Sequence, residues 1–234
     1  MAAILFHEAV AAPGHAGWTH FDGTSRDVET ALADVLEDLD PVVGEALLAA
    51  ETRPRVTTIG DGAIVILRGV NLNADADPED MVSLRIWIDA ERIVSVQLRQ
   101  LRAVQDTRDR LARTGGTSGA VLATLVQCLA ERMETTFGAL DAAALSVEER
   151  VIAEDPRDLR RQIVEMRRRA ILLRRFLAPQ REAISALQNA GLSWIIQSDR
   201  CSLNETGDRL LRYVEDLEAQ SDRLQDAKKE LAHL

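Results

Sequence analysis

The run NLNADADPEDM at 71–81 places four carboxylates and two asparagines in eleven residues, between two apolar stretches. Oxygen-rich loops can hold hard cations. A calcium loop of the EF-hand type needs acids at its first, third and fifth positions, glycine at the sixth and glutamate at the twelfth. Counted from Asn71, the sixth and twelfth residues are Ala76 and Val82; from Asn73, Pro78 and Leu84; from Asp75, Asp80 and Ile86. Every register fails, so the expectation is a solvated turn fixed by Pro78. Three of the four histidines, His7, His15 and His20, fall within 14 residues, and Asp22 follows His20 by two. They are the metal-ligand candidates near the N-terminus. Without a CxxC, HxxxH or HExxH spacing, plain strand or surface histidines are the expectation.

Eight arginines crowd RDLRRQIVEMRRRAILLRR at 157–175. A basic helix can hold nucleic acid. Here no aromatic platform interleaves the arginines, and Asp158 and Glu165 stand among them. Ion pairing on a helix face is the expectation, with no nucleic-acid partner. The chain has no G-x-S-x-G, no Walker loop and no G-x-G-x-x-G. RTGGTSGA at 113–120 lacks the Gly-Lys-Ser/Thr ending of a phosphate loop and reads as a hinge. We expect no enzyme, no catalytic residue and no catalytic cofactor.

These groups must be carried by elements whose period is legible. Residues 1–100 hold 7 Arg and no Lys against 17 Asp and Glu, while 101–234 hold 21 basic and 21 acidic residues. An acidic head thus precedes a charge-balanced tail, a pattern that speaks first to solubility and then to attraction for cations. In the head, RVTTIG, AIVILRGV, SLRIWID and RIVSVQL read as short strands, with GDG at 60–62 and DAE at 89–91 as hairpin turns. GWTHFD supplies an earlier strand. Between them Val28, Leu32, Val35, Leu36 and Leu39 keep helical spacing, with Ser25 the candidate N-cap and Pro41 the breaker. The fold class is α+β: a head at 1–115 that mixes helices with an antiparallel sheet, then a long-helix, coiled-coil-like region at 116–234.

In that second region Leu122, Leu125, Leu129, Met133, Phe137 and Leu140 step by three and four. Asp155 and Pro156 read as N-cap and first residue of the next helix. Leu159, Ile163, Met166, Ala170, Leu173 and Leu177 carry that helix on, and Pro179 should kink or restart it. NAGLSW breaks it. Leu203, Leu210, Leu217, Leu224 and Leu231 then recur every seven residues, with Val214 between them but Ser221 and Lys228 polar. That seam fits an antiparallel bundle, or a partner, better than a dimeric zipper. The period still runs at Leu234, with no glycine, asparagine or proline to end it, so we expect a longer parent chain. Cys128 and Cys201 make no disulfide framework. The N-terminal stretch lacks the basic start of a signal peptide, and no stretch approaches the ~18 apolar residues of a membrane span.

The words RPR at 53–55, LRGVNLN at 67–73, ADPEDMVSLRIW at 76–87 and LRRFLAPQR at 173–181 stand in an order that resembles the cytoplasmic domain of the zinc-transporting, ZntB-like branch of the CorA metal ion transporter family. The resemblance implies an α/β/α head with a mostly antiparallel sheet, then long helices ending in a stalk at 199–234 that leads to the first of two membrane spans. It implies a homopentamer in the inner membrane with this part on the cytoplasmic side, and zinc or another divalent cation as transported ion. The spans and their Gly-Met-Asn loop are absent here, so this chain alone would not transport. On that reading the stalk carboxylates Asp208, Glu215, Asp222 and Asp226 help form a funnel that concentrates cations. The alternative from another class is a soluble helical scaffold that binds a partner through its heptad helix.

Overall fold

The computed structural model describes residues 3–9, 17–150 and 156–233. Strands β1 (Ile4–Ala9) and β2 (Gly17–Asp22) open the chain, followed by helices α1 (Val28–Val35) and α2 (Pro41–Leu48). A meander of β3 (Arg55–Ile59), β4 (Gly62–Gly69), β5 (Val82–Ile88) and β6 (Arg92–Gln97) leads to α3 (Arg102–Thr114). Three long helices complete it: α4 (Ser118–Arg150), α5 (Pro156–Asn189) and α6 (Gln197–His233).

The six strands form one sheet in the order β1-β2-β6-β5-β4-β3. Every neighbouring pair is antiparallel except β2 and β6. The parallel pair follows from the crossover: α1 and α2 carry the chain from β2 to the far edge, and the meander returns β6 beside β2. Alternation along the strands separates two cores. Phe21, Ile64, Ile66, Trp87, Val94 and Val96 pack under α1 and α2. Trp18, Val65, Leu67, Leu84, Ile86 and Ile93 face the other way, in one cluster with the apolar residues of α3 to α6. The head is therefore three-layered, as the family resemblance implied. Gly69 lets α4 close on the sheet, because a Cβ there would stand 2.8 Å from both Leu101 and Leu129.

Local expectations need three corrections. The N-cap of α1 is Asp27 rather than Ser25, whose carbonyl accepts from Val28 N–H. Helix α1 ends at Val35 with Leu36 as C-cap, before Leu39 and Pro41, and Pro41 starts the next helix instead of breaking the first, with Asp40 accepting from Val42 N–H at 2.9 Å. Proline at a first helical position forfeits no bond. Helix α5 runs through Pro179 without restarting. The next residue, Gln180, buries its side chain and accepts the N–H of Arg68 at 2.6 Å, which fastens the helix to the sheet. Strand β1 and helix α3 lie outside the sequence expectations. The expected cap Asp155 lies outside the described residues, as do His15 and Leu234.

The long helices form the bundle. Arg200 reaches the Gln188 carbonyl, Arg174 pairs with Glu218, and Arg160 reaches the Leu231 carbonyl, so α5 and α6 run antiparallel. Phe137 packs on Tyr213 at 4.7 Å, and Asp141 accepts from Gln220 and Arg223, so α4 runs parallel to α6. Among the described residues, no helix is long and apolar enough to cross a membrane.

Candidate functional site

Helix α6 has two faces. Leu203, Leu210, Leu217, Leu224 and Leu231 are 0–2% exposed and fill the seam against α4 and α5. Asp208, Glu215 and Asp222 recur at the same interval on the solvent side, and Asp226 follows one turn on. Asp226 holds Lys229 at 2.7 Å. At the seven-residue interval these exposed carboxylates stand about 10 Å apart along the helix, too far apart to enclose one ion together.

His7 and His20 do not converge. His7 pairs with Thr19 across β1 and β2, and its Nδ1 lies 2.7 Å from Thr19 Oγ1, with the ring exposed. His20 pairs with Phe6, so it points to the opposite face of the sheet. There it is 1% exposed, stacks on Phe6, and places Nδ1 2.7 Å from Ser95 Oγ, which also accepts from Trp18 Nε1 at 2.7 Å. Burial lowers its pKa to about 4, against weaker opposition from Gln97 and Asp22, so the ring is neutral at pH 7. Among the described residues, no group of three or more His, Cys, Asp or Glu is placed to hold a metal ion.

The acidic run is a turn. Asn71 N–H donates to Pro78 O at 3.2 Å, Asn73 Nδ2 donates to Asn71 Oδ1 at 2.7 Å, and Asp75 takes a left-handed φ of 58°. One member turns inward: Glu79 is buried, with its carboxylate 3.1 Å from Arg169 Nε. The arginine helix behaves as its charge pattern suggested. Arg161 pairs with Asp158, Arg168 with Glu165, Arg169 with Glu79 and Glu165, and Arg174 with Glu218.

The sequence reading missed two arginines inside strands, Arg68 and Arg85, in a cleft shared by the sheet, the end of α2 and α5. Their signal was a single charge in each of two apolar runs, ILRGV and SLRIWI, where a period-two strand offers no other charge.

The chain also stands among known proteins. The family model for CorA-like Mg2+ transporter protein matches residues 14–234. The divalent cation transporter CmaX of Pseudomonas aeruginosa is 38% identical over 216 residues, covering 91% of this chain. The zinc transport protein ZntB of Yersinia enterocolitica is 33% identical over 214 residues, again 91% of this chain. The chain spans 65% of the length of each. The structure of full-length CmaX superposes with a TM-score of 0.85 at 37% identity, covering 95% of this chain and 70% of that one. The ZntB cytoplasmic domain from Vibrio parahaemolyticus gives 0.88 at 22% identity, covering 100% and 98%, which establishes a shared fold.

Proposed function

The chain belongs to the CorA-like Mg2+ transporter family, and from that premise we propose that it is the cytoplasmic funnel part of a divalent-cation transporter of the inner membrane. The observation that carries the reading is the division of α6: leucines inward within the chain, carboxylates outward along its length. The acidic head, 1–115, adds to the field, and the long-helix region, 116–234, presents it. In the whole protein, membrane spans beyond this part would conduct, five copies would surround one path, and the outward rows of α6 would raise the cation concentration there. Zinc is the proposed cargo, on the strength of the zinc transport proteins among its relatives. The part alone would neither transport nor catalyse.

A scaffold that captures a partner through its heptad leucines is less favoured, because those leucines are already spent inside the chain.

Calorimetric titration of the chain with zinc and, separately, magnesium, with light scattering for mass, tests the funnel. Weak, salt-suppressed heats for both ions, reduced by the combined Asp208→Asn, Glu215→Gln and Asp222→Asn changes, are expected. Micromolar, zinc-selective binding that survives these changes would contradict a field without a site.

A further inference from the structure

Among the described residues, the least expected charge in the molecule is positive. Arg85 is 1% exposed at the centre of β5, and no carboxylate lies within ion-pairing distance of it among the described residues. Its Nη2 donates to the Ala49 carbonyl at 2.8 Å, while Nε and Nη1 are enclosed without a hydrogen-bond partner. Arg68 stands opposite Ser83 on β4, so Arg85 is its diagonal neighbour on the same face. Arg68 donates to Met81 O at 2.6 Å and Thr52 O at 2.7 Å, lays its guanidinium over the Phe176 ring at 4.2 Å, and likewise leaves Nε unpartnered. Burial lowers both pKa values; repulsion from Arg68 lowers Arg85 further, and repulsion from Arg175 lowers Arg68, with Glu51 a weaker counterweight there.

These two form the floor of a cleft of about 450 Å³. Arg99 and Arg175, both exposed, stand at its rim. Two acids share the lining: Glu79, engaged by Arg169, and Asp80. Four guanidiniums against two carboxylates leave the cleft net positive inside an acidic protein. A buried cation without a partner destabilises a fold unless something supplies the opposite charge. Planar guanidiniums fit the oxygens of phosphate two at a time, and the space exceeds what a bare ion would fill.

We propose that this cleft between α2, the sheet and α5 binds a phosphate-bearing small molecule, its phosphate held by Arg99 and Arg175 above the Arg68–Arg85 floor and its remainder against Phe176. The site is separate from the cation-facing row on α6 and takes the opposite charge.

The test is thermal unfolding and calorimetry of the chain with inorganic phosphate and pyrophosphate, with sodium chloride at equal ionic strength as control. Saturable stabilisation by phosphate, stronger with pyrophosphate and absent with chloride, is expected. Arg85→Met should raise the melting temperature without phosphate, because it removes an uncompensated buried charge, and should abolish the phosphate response. Arg99→Gln and Arg175→Gln, on the exposed rim, should leave the ligand-free melting temperature in place and each weaken phosphate binding roughly tenfold. They keep the test open even if Arg85→Met folds poorly. Stabilisation that chloride reproduces, or that survives both rim changes, overturns the proposal. So does a fall in oligomer mass on Arg85→Met when the unaltered chain shows no phosphate response, which would assign the charge to a second copy of the chain.

Discussion

On α6, leucines and carboxylates both recur every seven residues, yet Leu203 to Leu231 are 0–2% exposed while Asp208, Glu215 and Asp222 lie open to solvent. A seven-residue period says that one stripe of a helix differs from its surroundings. It does not say what the stripe meets. The leucine stripe meets α4 and α5 of the same chain, and the carboxylate stripe meets water. One helix thus packs on one side and presents open charge on the other, and changes to either side should separate cleanly.

The largest effect should come from the inner stripe. Leu217→Ala removes a fully packed side chain and should cost about 2–5 kcal/mol in urea unfolding, with the mid-bundle residues Phe137 and Tyr213 nearby. A loss below about 1 kcal/mol would mean that the seam is loosely packed and would blur the contrast.

The same contrast between dry and wet groups applies to titration. His20 is buried with its pKa lowered from 6.5 to about 4, so the unfolded chain binds more protons than the folded one below pH 6.5. Stability should therefore be fully present above pH 6.5 and fall as pH drops toward about 4, by about 3 kcal/mol if this group acts alone. Urea melts across that window, repeated for His20→Gln, should show the slope shrink in the variant.

Next comes the contact of α4 with the sheet. Gly69→Ala would bring a methyl to 2.8 Å from Leu101 and Leu129 and should cost about 1–3 kcal/mol, measurable as a shift in the unfolding midpoint. The smallest effect belongs to the outer stripe. The combined Asp208→Asn, Glu215→Gln and Asp222→Asn changes should move stability by no more than about 0.5 kcal/mol per site while lowering cation attraction at low salt. A large stability loss there would join the two faces into one and undo the comparison.

Much of this architecture was legible because periodicity is a local property. The hairpins at Gly60 and at Asp89–Arg92, the strand GWTHFD and the leucine seam all lie where spacing and turn residues put them. What the sequence concealed depends on distant partners. The parallel pairing of β2 with β6 is set by a crossover of some seventy residues. The continuity of α5 through Pro179 rests on packing that offsets one missing backbone donor. Arg85 could be seen as an odd charge in a strand, but its lack of a carboxylate partner among the described residues exists only once β4, β5, α2 and α5 are assembled. His7 and His20 part because of register, which the sequence does not print: His7 pairs with Thr19, so His20, next along β2, points to the opposite face.

The bundle also has a mechanical meaning. Helix α6, 37 residues long, is a rod of about 55 Å. It starts just after Ser193 and Trp194, which bond Asp61 in the β3–β4 turn, and its last turns lie at the other end beside Arg160. Each degree of tilt at the head end sweeps the other end by about 1 Å. A rearrangement too small to alter any single contact near the sheet would be read out at the tip as a displacement the size of an ion.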